Sequence, residues 1–143
     1  MGNYQAMITV IEDMGKIAQT LNISSFPIYF LGGSACILGQ YSDRATRDFD
    51  FVDLNYASQY GKVLRYLNDF DMLEYESTLL APTYKKRAKK LEQFKFLEVY
   101  VLAREDIIVS KIIRMAPKDI EDIDLLIKES NKELIKKIID EVL

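Results

Sequence analysis

This sequence predicts an α/β (α+β) domain, a small mixed β-sheet flanked by helices with a helical C-terminal end, and three observations predict it. Two short apolar runs, "FPIYFLG" (26–32) and "FKFLEVYVL" (94–102), have the length and aromatic or β-branched content of buried strands. A third segment, "RDFDFVDL" (47–54), alternates charged and apolar residues with period two. Around these runs lie segments of helical period, and the chain from Arg104 onward holds only such segments.

The first helix is read over 4–21, where Tyr4, Met7, Ile8, Ile11, Met14, Ile17, Ala18 and Leu21 recur at helical spacing. "NISS" breaks it and the 26–32 strand follows, closed by the turn Gly32–Gly33; Ser34 is placed to open a short helix to about Gly39. "QYSDRAT" is a polar loop before the alternating strand. "YASQYGKVLRYLNDFD" reads as a helix with Val63, Leu64 and Leu67 on one side, and "MLEYES" as a strand. "APTYKKRAKKLEQ" is basic, a loop leading into a short helix ahead of the 94–102 strand. Helices are expected over 104–115 and from Pro117, which suits a first turn, to about Lys128. Ser130 with Glu133 has the spacing of a capping box for the last helix.

Composition narrows the function classes. The 143 residues fit one domain, 1–143, and 49% hydrophobic content supplies a core. A net charge of −3 gives no global case for nucleic-acid binding. No apolar run approaches the roughly 20 residues of a membrane span, and no basic stretch followed by an apolar core marks a signal peptide, so a cytoplasmic, membrane-free protein is expected. Cys36 is the single cysteine, which excludes a disulfide within the chain, and histidine is absent. Ser-His and Cys-His nucleophilic machinery is therefore excluded, and any catalysis falls to carboxylates and lysine.

Asp48 and Asp50 are the residues that demand an explanation. Two apart on a strand, they project from one face, with Phe49 and Phe51 on the other. Adjacent carboxylates repel, more so when desolvated, and a divalent cation resolves the conflict. Oxygen-only ligation suits Mg2+ or Mn2+, which retain waters and accept phosphate oxygens. The preceding Gly32–Gly33–Ser34 turn supplies the complement, because glycines let backbone N–H groups approach a phosphate. The plainer alternative for each alone is a solvated strand face and an ordinary turn; their order and spacing favour a site for a nucleoside triphosphate with metal.

"GGSACILG" followed by "RATRDFDFVD" resembles the nucleotidyltransferase superfamily of the DNA polymerase β type, whose signature is a Gly-Gly or Gly-Ser turn and then an Asp-x-Asp strand. The form Arg44, Thr46, Asp48, Asp50 is similar to bacterial nucleotidyltransferase-like proteins related to abortive-infection type II toxins. "REDIIVSKIIRMAPKDIEDIDLL" is similar to that family's later segment, with Lys111, Asp119 and Asp122 in matching positions. The resemblance implies a nucleotidyltransferase fold in which Gly32, Gly33 and Ser34, with Arg44, Thr46 and Arg87, hold the nucleotide. It implies that Asp48 and Asp50 hold one or two magnesium ions and that a third carboxylate comes from a later strand, for which Glu98 is the candidate. Glu98 is otherwise an exposed strand residue. Lys111 is either a point charge on the triphosphate or a solvated helix residue, and Asp119 and Asp122 are alternatively the acidic first turn of a helix. The run Lys85, Lys86, Arg87, Lys89, Lys90 either tracks the phosphates of an RNA acceptor or is solvated surface. Asp53 is out of phase with the pair. The implied reaction is transfer of a nucleoside monophosphate to a tRNA or protein acceptor, in a toxin–antitoxin or phage-defence setting with a cognate partner protein. The alternative is an inactive binding or antitoxin module that keeps the fold.

Overall fold

The computed structural model describes residues 3–42, 49–70, 72–75, 80–114 and 119–143. Helix α1 (Asn3–Thr20) carries the expected stripe into the core, with Met7, Ile11, Met14 and Ala18 all buried. Leu21 falls outside it and is 42% exposed, because the helix ends at Thr20 and the chain reverses at Asn22, whose φ is +56°.

Strand β1 (Pro27–Leu31) runs directly into helix α2 (Gly32–Leu38), which starts two residues earlier than the Ser34 start expected from sequence. Strand β2 (Phe49–Val52) follows, then helix α3 (Ser58–Leu64) with a 3-10 segment Arg65–Phe70, and strand β3 (Met72–Tyr75). A one-turn helix α4 (Tyr84–Arg87) leads into a two-residue strand β4 (Lys89–Lys90), which periodicity could not reveal. Strand β5 is Glu98–Val101, and helices α5 (Arg104–Arg114), α6 (Asp119–Ile127) and α7 (Lys132–Val142) end the chain.

The strands form one five-stranded mixed sheet in the order β3-β2-β1-β5-β4. β1 lies parallel to β5 and antiparallel to β2; β2 is parallel to β3, and β4 antiparallel to β5. Ile28, Phe30, Phe51, Val99 and Val101, all inaccessible to solvent, face one side together and form the centre of the core. Tyr29, Leu31, Asp50, Glu98 and Tyr100 share the opposite face. β2 is buried along its whole length, so Asp50 sits in a covered strand rather than on a solvated one.

The last helix is capped one residue later than the capping-box spacing suggests. Asn131 is its N-cap and accepts from the Leu134 amide, while the Ser130 hydroxyl donates back to the Ile127 carbonyl at the end of α6. Glu105 of α5 accepts from the Asn131 amide at 2.8 Å, the task that the capping box assigns to Glu133. Among the described residues, no helix is long and apolar enough to cross a membrane.

Candidate active site

Gly32 is where strand turns into helix, and its φ of +61° is a conformation that side chains disfavour. A second constraint acts on the same residue. Leu31 is paired with Asp50, and the Asp50 side chain leans across the turn. A Cβ at Gly32 would overlap Asp50 Oδ2 and lie 3.2 Å from its Cγ. The carboxylate thus fills the space that glycine leaves open. Asp50 is only 6% exposed, while Gly32 and Gly33 are part-exposed beside it.

Ser34 fixes this arrangement. Its buried hydroxyl donates to the Leu31 carbonyl at 2.9 Å and accepts from the Asp50 amide at 3.2 Å, lying also 3.3 Å from the Asp50 carbonyl. The hydroxyl is directed inward and joins the turn to β2; at the surface of the turn stand the two glycines. The sequence reading of a glycine turn set against an acid-bearing strand is therefore realised for Gly32, Gly33, Ser34 and Asp50. Arg44, Thr46 and Asp48 lie outside the described residues.

Glu98 is not brought to this place. It pairs with Pro27, four residues along β1 from the Leu31 that pairs with Asp50, and on the other side of that strand. Strand spacing and rise put the two acids about 16 Å apart on one sheet face. That span is too long for a shared ion, which corrects the expectation that Glu98 completes the ligand set. Among the described residues, no group of three or more acids or cysteines converges on a metal position. Of the expected pair, Asp50, seated against Gly32, is the described member, and a carboxylate oxygen is a donor type suited to Mg2+ or Mn2+.

Two of the three cations expected on the nucleotide, Arg87 and Lys111, have internal partners. Arg87 forms a two-pronged pair with Asp106, Nε to Oδ2 at 2.9 Å and Nη2 to Oδ1 at 2.7 Å, and its Nη1 donates to Thr83 Oγ1. Thr83 in turn donates to Glu141 of α7 at 2.6 Å. The hydrogen bond to Asp106 raises the Arg87 pKa further; burial pushes the Asp106 carboxyl up, and Arg87 opposes that push. Lys111, 5% exposed, lies between Asp122 at 3.1 Å and Asp119 at 3.6 Å and ties α5 to α6. The motif seen in the sequence does converge in space, with the lysine's charge directed to the two aspartates. Cys36, on the α2 side of this cluster, has its thiol pushed up to about 11 by burial, with Lys111 and Arg104 pulling the other way and Asp122 adding to the rise. Asp53 accepts from the Asn55 amide at 2.8 Å and shapes the turn after β2, in keeping with its place out of phase.

The packing of tyrosines on the Asp50 face was not legible in the sequence. Tyr29 and Tyr100, neighbours across β1 and β5, stack at 4.5 Å with planes 8° apart. The parity of the two strand runs holds the signal, but the register that brings the rings together is long-range. A separate cleft of about 180 Å³ between α1 and the 93–97 turn, lined by Ile11, Gly15, Phe94 and Phe96 among others, lies toward the opposite end of β5 from Asp50.

No curated protein and no solved structure matches the chain significantly. A family model described as a nucleotidyltransferase of unknown function, DUF6036, matches residues 5–143, from the first turn of α1 through the glycine turn, Asp50 and the Lys111 cluster to the C-terminus. The chain belongs to the DUF6036 nucleotidyltransferase family.

Proposed function

We propose that the chain binds a nucleoside triphosphate with Mg2+ or Mn2+ at the junction of β1 and β2 and transfers the nucleoside monophosphate to an acceptor hydroxyl. The observation that carries this reading is the Asp50 carboxylate seated against Gly32, because it joins an oxygen ligand to a phosphate-compatible turn. Gly32 and Gly33 admit the triphosphate close to the backbone. Ser34 keeps Asp50 in register with that turn, and Asp48 with Asp50 would hold the metal. When bound, the metal supplies charge neutralisation on the triphosphate and on the departing pyrophosphate. The acceptor oxygen forms its bond to the α-phosphorus, the α–β phosphoanhydride bond breaks, and the hydroxyl proton passes to water or to a carboxylate of the pair. Following the resemblance, the acceptor is an RNA such as tRNA, or a protein, in a cytoplasmic toxin–antitoxin or phage-defence pair with a cognate partner.

One observation favours a second reading, an inactive binding or antitoxin-like module: Arg87 and Lys111 are both engaged in internal ion pairs. Calorimetric titration of the four nucleoside triphosphates, with and without Mg2+, into wild type and Asp50→Asn separates the two. Mg2+-dependent binding that vanishes in Asp50→Asn supports the enzyme. Absence of binding with all four overturns it in favour of the module.

A further inference from the structure

Register places a run of aromatic and cationic groups on the sheet face that carries Asp50. Tyr29 is two residues from Leu31 on β1, Tyr100 is its parallel neighbour on β5, and Lys90 of β4 pairs with Tyr100 on the same face. The Lys85 ammonium stands 5.6 Å from the centre of the Tyr29 ring, and Tyr84 packs edge-on against that ring. Tyr29 is buried beneath the cluster, Tyr100 is part-exposed, and Lys85 and Lys90 are exposed, as are their neighbours Lys86 and Lys89. Tyr100 lies about 12 Å from Asp50 across the two strand spacings. Glu98 closes the same face at the far end, beside Pro27.

We infer that this strip seats a single-stranded nucleic acid, one base stacked on Tyr100 with the flanking phosphates on Lys85 and Lys90. Four exposed lysines within 85–90 of a chain with net charge −3 form a local cationic field that a polyanion complements. A ring backed by a second parallel ring is a fixed platform for any base, since every base has a π-face. Glu98 repels phosphates at the Pro27 end of the strip and bounds it there. The inference deepens the reading above by naming the acceptor's chemistry; it depends on that reading for the reaction, not for the binding. Lysines on a two-residue edge strand also guard against sheet-edge association, which by itself would require no ring beside them.

The test is fluorescence anisotropy with a labelled 12-nucleotide single-stranded RNA and the matching DNA. Titrations are run at several salt concentrations, with nucleoside triphosphate titrations on the same protein samples. Wild type should bind. Tyr100→Leu, which keeps apolar bulk on the strand, should weaken binding about tenfold. The pair Lys85→Gln and Lys90→Gln should lower the slope of log K against log salt by about 1.4. RNA preference would add 2′-hydroxyl contacts; equal binding would assign base and phosphate alone, and either supports the strip. If wild type binds neither strand, or binds with Tyr100→Leu and the lysine pair both unchanged, the inference is overturned. Strand binding without nucleotide binding would retain this inference and reject the enzyme; nucleotide binding without strand binding would do the reverse.

Discussion

Replacing Gly32 by alanine tests the geometry on which the site rests. Two penalties fall on one methyl group. A φ of +61° disfavours a side chain by about 1 kcal/mol or somewhat more. The methyl also meets the Asp50 carboxylate, which must leave its rotamer or displace β2, a further 1–3 kcal/mol or so. The sum of about 3 kcal/mol lowers the melting temperature by about 9 °C for a chain of this size. Only the second penalty depends on Asp50. In Gly32→Ala/Asp50→Ala the overlap is gone, because the new methyl then faces Asp50 Cβ at 3.4 Å, an ordinary contact. Urea unfolding followed by circular dichroism on both single variants and the double should therefore show a coupling of 1–3 kcal/mol or so, with the double variant less destabilised than the sum. Additivity within about 0.5 kcal/mol would refute the placement of the carboxylate against the turn.

Three further outcomes follow from contacts already described. Arg87→Met leaves Asp106 buried without its counter-charge, raising a carboxyl pKa that burial has already raised. A carboxyl with a raised folded pKa contributes stability below its unfolded pKa and loses it as pH rises. The deficit against wild type should accordingly be small at pH 4 and reach about 3 kcal/mol at pH 7, read as melting temperature against pH. Lys111→Met removes the cation between Asp119 and Asp122 and should destabilise by about 3 kcal/mol, while Mg2+-nucleotide affinity of the folded fraction stays within twofold of wild type; a selective loss of affinity would return Lys111 to the triphosphate. Cys36, with its thiol pushed up to about 11, should resist a thiol reagent at pH 8 until urea unfolds the chain, and rapid labelling of the native protein would contradict its burial.

Local pattern announced what local forces decide. The stripe of α1, the strands at 27–31 and 98–101, and the glycine turn before an acid-bearing strand were legible because period and turn chemistry are short-range. Lys111, Asp119 and Asp122 form one motif in the sequence and do meet, since α5 and α6 are consecutive, contacting helices only a few residues apart. Glu98 shows the limit. Its strand was evident, but its position at the opposite end of β1 from Asp50 depends on parallel pairing across some seventy residues of sequence, which no local pattern encodes. The Arg87–Asp106 pair is hidden from local pattern for the same reason, its members lying 19 positions apart. β4 was invisible because two lysines carry no alternation.

The Ser34 hydroxyl has a consequence for how the chain finds its pairing. β2 is covered on both faces, so an exposed side does not identify the correct alignment of "FDFV" against β1. A slip of one residue would present phenylalanine to the glycine turn and push the aspartate into the aromatic core. Ser34 reads the main chain rather than the side chains: successive residues turn their amide and carbonyl to opposite edges of the strand, so a slip of one residue would leave the hydroxyl facing neither group. It acts as a ratchet pawl between α2 and β2, holding the pairing whose parity delivers an acid to the turn.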